Sequence, residues 1–232
     1  RIGLADIRAE LVLVAQLPWI YEGDIQRDFG VKVSGEVRNT PLGEKIEDYN
    51  LSPDDLLLVF NVLSSLSPEV ISSINSITVV YLPDYSGGGY YNWDGNIILI
   101  GPTDMNGFNH TNGFLFISAL YHEIGHAVYF SLLTAEEREA FTALYQQSRN
   151  ESDFAPSDVV PSYGKSNVLE DFAEIFKSYS ISTDDLLKKA EKSLLLGAKL
   201  GFVSRFFDQY KYQVDDRGTI RRWRDGKETT WL

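Results

Sequence analysis

The run SALYHEIGHAVYF, residues 118–130, places His122, Glu123 and His126 inside an otherwise apolar stretch. Burying two imidazoles and a carboxylate in apolar surroundings is costly unless something pairs with all of them. A metal ion answers that requirement. His122 and His126 are four residues apart, so on a helix their rings project from one face, one turn from each other, and can share one ion. Glu123 lies beside that stripe, where a carboxylate reaches water at the metal without ligating the metal itself. Zinc suits the pair, because neutral imidazole is a preferred zinc ligand and an open coordination position lets the ion acidify water. Gly125 is expected to clear a side chain from beside the metal face. The chain has three histidines, and two of them fall here.

Two histidines do not complete a catalytic zinc site. A third histidine in the metzincin pattern would stand at position 132, which is Leu132, so that pattern is excluded. A carboxylate on a later helix is the alternative. The segment SYGKSNVLEDFAEIF supplies Glu170 and Glu174 one turn apart, with Asp171 adjacent, and either glutamate could be the ligand. Our reading takes Glu170 as the ligand and Glu174 as the acceptor for a ligand imidazole N–H, since such orienting partners accompany ligating histidines. His110, in the turn-like GFNHTNG, is read as a loop residue without a metal role.

HEIGHAVYF and SYGKSNVLEDFAEIF together resemble the catalytic domain of anthrax toxin lethal factor and its relatives, which include the secreted Pro-Pro endopeptidases. The resemblance spans about residues 75–210. It implies that His122, His126 and Glu170 are the ligands of one zinc ion and that Glu123 is the general base. It also implies that Tyr163, seven residues before Glu170, faces the metal. A tyrosine there would donate its O–H to the oxyanion formed as water attacks a peptide carbonyl. The function implied is a secreted, toxin-like, zinc-dependent endopeptidase of the gluzincin type. Leu169 stands where some Pro-Pro endopeptidases carry an acid, so their exact specificity is not implied. The alternatives are a lethal-factor-like binding domain without catalysis and a zinc hydrolase that acts on something other than internal peptide bonds.

The elements that must position these residues are of mixed type. With 232 residues and 44% hydrophobic content, the chain can bury a substantial core as one compact domain. Residues 1–74 are expected to form a mostly helical or loop-rich segment packed on a metallopeptidase lobe pair at 75–232. Within the first part, AELVLVAQLPWIY suggests a helix ended by Pro18, and the region after it up to residue 50 reads as loop-rich. Ser52 and Ser67 each precede a proline, which marks two helix starts. SITVVYLP reads as a strand, and GGGYYNWDGNIILIG reads as a hairpin turning at Asp94-Gly95. From residue 113 the pattern is helical, with Thr134 and Glu137 forming a capping box and STDDLLKKAEKSLLLGAKLGF helical near the end. A small mixed sheet followed by helices is an α+β, zincin-like arrangement.

Net charge −12 argues against nucleic acid or anionic membrane as partner, because those are held by Lys and Arg. The absence of cysteine excludes disulfides, thiolate zinc sites and cysteine nucleophiles. It also fits an extracellular location. No apolar run reaches the roughly 18 to 20 residues that span a bilayer. The start at Arg1, without Met or signal pattern, leads us to expect a processed or truncated product acting as a monomer. The basic tail RGTIRRWRDGKETTWL is expected to be a solvated terminal segment. The partner is expected to be a protein or peptide, stretched out and including proline-containing segments. Asn96, Ile97, Ile98 and Leu99, running on to Ile100, are expected to form an exposed strand edge that pairs with it. Gly87, Gly88 and Gly89 would provide a mobile loop, and Tyr90, Tyr91 and Trp93 would offer flat faces to its side chains.

Overall fold

A computed structural model describes residues 22–38, 40, 43–82, 88–92, 94–101, 110–156, 163–207, 210–214, 220–224 and 227–229. In chain order its elements are α1 (Glu22–Phe29), β1 (Lys32–Arg38), β2 (Lys45–Tyr49), α2 (Pro53–Ser64), α3 (Pro68–Ser72), β3 (Ser76–Tyr81), β4 (Gly88–Asn92) and β5 (Asn96–Gly101). There follow α4 (His110–Ser131), α5 (Ala135–Gln147), α6 (Val168–Ile181), α7 (Thr183–Ala190), α8 (Leu194–Val203), β6 (Tyr210–Val214), β7 (Ile220–Arg224) and β8 (Lys227–Thr229). A short 3₁₀ turn, Tyr163–Lys165, precedes α6.

The helix starts follow from their caps. Ser52 accepts from the Asp55 N–H while Asp55 reaches back to the Ser52 N–H, and Pro53 occupies the first helical position, where its missing N–H is no loss. Ser67 caps α3 before Pro68, and Thr134 and Glu137 form the same reciprocal box on α5. The helical run beginning at Ser182 is two helices, because Ser193 starts a new one by accepting from the Leu196 N–H.

Five strands form one mixed sheet in the order β2-β1-β3-β5-β4. β1, β3 and β5 run parallel, and β2 and β4 are antiparallel additions at the two sides. Val33, Ile77 and Ile97 lie in register across the parallel strands, all buried. α4 packs on β4, β5 and α2, and Leu120, Ile124, Val128, Val59 and Leu63 join one core with the sheet. The Tyr121 hydroxyl, buried in that core, is satisfied by Ser65 Oγ at 2.7 Å.

Several expectations are corrected here. The region 22–50, expected to be loop-rich, supplies α1, β1 and β2. Because β1 pairs with β3, a boundary between residues 74 and 75 would cut through a sheet. Gly35 hides the strand from a reading of periodicity. It is glycine because a Cβ there would meet the Tyr49 carbonyl oxygen at 2.4 Å. Helices were expected last, but within the basic tail β7 and β8 join β6 in a three-stranded antiparallel sheet after the final helix. The expected helix before Pro18 lies outside the described residues. The hairpin is as expected: Asn92 pairs with Asn96 across Trp93–Gly95, and Gly95 takes the left-handed φ of +74° that the turn needs. No helix among the described residues is long and apolar enough to cross a membrane.

α6 is tied to α8 by a fully buried ion pair. Lys199 Nζ lies 2.7 Å from Asp171 Oδ2, donates to the Asp153 carbonyl at 2.9 Å, and sits 4.3 Å from the centre of the Phe154 ring. Burial pushes Asp171 up, to about 6, against the pull of Lys199, and pushes Lys199 down. Removing one partner strands a buried charge. Lys199→Met should therefore cost about 3–5 kcal/mol in chemical denaturation, and adding Asp171→Asn should recover part of the loss. Equal stability of Lys199→Met and wild type would show that the pair contributes nothing.

Candidate metal centre

The centre is built where α4 crosses α6. Gly125 faces α6 so closely that a Cβ added to it would lie 2.8 Å from Ala173 Cα and 3.1 Å from Phe176 Cβ. Its role is thus to admit the partner helix, rather than to clear space beside a metal as expected from sequence. The two helices mirror each other about this contact. His122 stands three residues before Gly125 and His126 one after, while Glu170 stands three before Ala173 and Glu174 one after. The first turn of α6 is fixed by Asn167, whose side chain accepts from the Leu169 and Glu170 N–H groups.

Three ligand-type atoms converge there. His122 Nε2 lies 3.1 Å from His126 Nε2 and 2.9 Å from Glu170 Oε2, and His126 Nε2 lies 3.5 Å from the same oxygen. Bonds of about 2.0–2.1 Å to a tetrahedral ion imply ligand atoms about 3.3 Å apart, so these spacings fit a single small cation. His122, His126 and Glu170 therefore form a group that can hold a metal ion. The chemistry of the donors agrees, since two imidazoles and a carboxylate suit a borderline-soft divalent metal.

Electrostatics reinforces the arrangement. His122 Nδ1 is 3.0 Å from Glu174 Oε1, the orienting role expected of Glu174, which leaves Nε2 to face the ligand cluster. Burial would push the His122 imidazole down, but Glu170 and Glu174 outweigh it and raise it to about 9. Glu170 is also opposed by burial, and the hydrogen bonds from His122 and His126 hold it well below the usual carboxylate range. Glu123 is buried beside the cluster, and its charge acts on both His122 and Tyr163. The Tyr163 ring lies 5.6 Å from that of His122, and the residue is 40% exposed. Partial burial, then the charges of Glu170 and Glu123, push its hydroxyl up to about 12, so it is a hydrogen-bond donor at neutral pH.

The structure thus brings together His122, Glu123, His126, Tyr163, Glu170 and Glu174. Asp171 points elsewhere, to Lys199, and Leu132 and Leu169 pack against the core. His110 begins α4, where a turn was expected. The substrate-edge expectation fails for Asn96, Ile97, Ile98 and Leu99. They form β5, an interior strand with β3 on one side and β4 on the other, and Asn96 Oδ1 is already taken by Ser76 Oγ at 2.7 Å. Of the three-glycine run, Gly88 and Gly89 belong to β4 and are not loop. Gly87 and Trp93 lie outside the described residues. One residue escaped the sequence reading: Lys177, buried one turn beyond Glu174, holds both carboxylate oxygens at 2.7 and 2.8 Å. A lysine three residues after a glutamate in an apolar helix was the available signal.

No family model matches the chain, and no curated protein matches it either. Function is therefore read from the site itself.

Two outcomes test the centre. His122→Ala, His126→Ala and Glu170→Gln should each abolish retention of a divalent metal in elemental analysis of dialysed protein, and full occupancy in His126→Ala would move the site elsewhere. The raised His122 imidazole is protonated near neutral pH and must lose its proton to become a ligand. Metal uptake near neutral pH should accordingly release protons, measured by calorimetry in buffers of differing ionisation enthalpy.

Proposed function

We propose that the protein is a zinc-dependent endopeptidase of the gluzincin type, hydrolysing a polypeptide held in extended form. The observation that carries this reading is the convergence of His122 Nε2, His126 Nε2 and Glu170 Oε2, with a buried Glu123 and a protonated Tyr163 beside them. Zinc held by the three ligands would lower the pKa of bound water toward 7 and polarise the scissile carbonyl. Glu123 takes a proton from the attacking water and delivers it to the departing amine, the work of a carboxylate positioned as general base and then acid. Tyr163 donates its O–H to the carbonyl oxygen as negative charge develops there, an interaction realised chiefly in the transition state. Glu174 keeps the His122 ring in one orientation through Nδ1.

The substrate-holding strand is β4, which replaces β5 in this role. Among the described strands β4 pairs only with β5, and it packs against α4. Its other side, unpaired among the described strands, can take an extended segment by main-chain hydrogen bonding.

The zinc-loaded protein should cleave an unstructured protein such as reduced casein at internal bonds, as read from product termini by mass spectrometry, and a chelator should stop it. Products trimmed only at chain ends would overturn the endopeptidase reading. Glu123→Gln and Tyr163→Phe should keep their zinc while kcat falls by roughly 10²-fold or more. Wild-type turnover in either variant removes that residue from the mechanism.

A further inference from the structure

Lys177 has no part in the reaction above, yet it is only 3% exposed, and its ammonium is bound to both oxygens of Glu174. An unpaired lysine at that depth is strongly disfavoured, and the pair costs desolvation even when made. α6 carries three acids around the crossing, and two have a buried lysine: Asp171 has Lys199 and Glu174 has Lys177. Glu170 is different. Its recorded ion-pair partners are His122 and His126.

With both imidazoles neutral, as ligands must be, Glu123, Glu170 and Glu174 bring three negative charges and Lys177 one positive. The remainder is −2, the charge that a divalent cation cancels. Without Lys177 it would be −3, in surroundings where each unit of charge interacts far more strongly than in water.

We infer that Lys177 is the internal counter-ion of the centre: it cancels the charge of the carboxylate that orients His122, so that the charge left for the metal matches a divalent ion and the crossing stays folded when the metal is absent. The inference rests on the metal reading given above. Its consequence is an asymmetry. Loss of Lys177 leaves Glu170 and Glu174 to His122 and His126 alone among the recorded ion-pair partners in the metal-free protein, whereas in the loaded protein the metal offsets part of the excess negative charge.

The test is thermal unfolding of chelator-stripped and zinc chloride-loaded protein for wild type, Lys177→Met and the double variant Lys177→Met/Glu174→Gln. Lys177→Met should lower the Tm of the stripped form by about 10 °C and that of the loaded form by less than half as much, so the shift produced by zinc becomes larger than in wild type. The double variant removes the excess charge, and the Tm of its stripped form should recover at least half of what Lys177→Met loses. Equal falls in both forms of Lys177→Met, or a smaller zinc shift, would overturn the inference. Should Lys177→Met be unfolded in both forms, the double variant decides: a stripped form that folds supports the inference, and one that stays unfolded overturns it. A wild type with no zinc shift overturns the metal reading itself and this inference with it, an outcome distinct from the others.

Discussion

The distance between α4 and α6 at Gly125 governs the centre. The atom opposite is Ala173 Cα, part of a helix backbone that cannot swing aside as a flexible side chain would. Packed interiors transmit such displacements instead of absorbing them. The ligand atoms on either side of the contact are only 2.9–3.5 Å apart, so a shift of one ångström would separate histidines from carboxylate. Alanine, the residue that most favours a helix in isolation, is the wrong residue here. The intrinsic helix preference given up at this position is what brings the two motifs within reach of one ion.

α6 is also fixed against rotation. Glu170 and Glu174 look toward α4, while Asp171 is held by Lys199 from α8. Turning the helix to retract Glu170 would drag Asp171 away from Lys199, its ion-pair partner in a fully buried place. The Asn167 cap secures the beginning of the same turn. The Glu170 carboxylate, one of three groups that could hold a metal ion, thus owes its position to residues outside that cluster.

Local features of the chain were legible and pairings between distant parts were not. Caps at Ser52, Ser67 and Thr134, the Asp94-Gly95 turn and the His122/His126 stripe depend on residues a few positions apart, and the structure has them where the sequence reading put them. That Glu170 and Glu174 share one face of α6 was also legible, since a turn of helix separates them, and both lie against His122. Which strand lies at the side of the sheet was not, because that depends on β3 taking one side of β5 and β4 the other. Gly125 could be seen, but the backbone it faces is some fifty residues away. β1 stayed hidden because Gly35 contributes no side chain to the alternation, although the close passage of Tyr49 demands just that absence. Lys177 could be found only once Glu174 was known to be buried.

The place of β1 in the sheet has a consequence for the integrity of the molecule. It runs beside β3 for its whole length, covering a strand whose Ile77, Val79 and Val80 are fully buried. A nick in the connection to β2 or α2 that let β1 depart would bare a straight, β-branched margin with its main-chain hydrogen bonds open, the kind of template on which other chains aggregate. Residues 32–38 lie far in sequence from the histidines and touch none of the chemistry. They nevertheless act as a seal, and proteolysis there would be felt first as loss of solubility, with the residues of the candidate metal centre still intact.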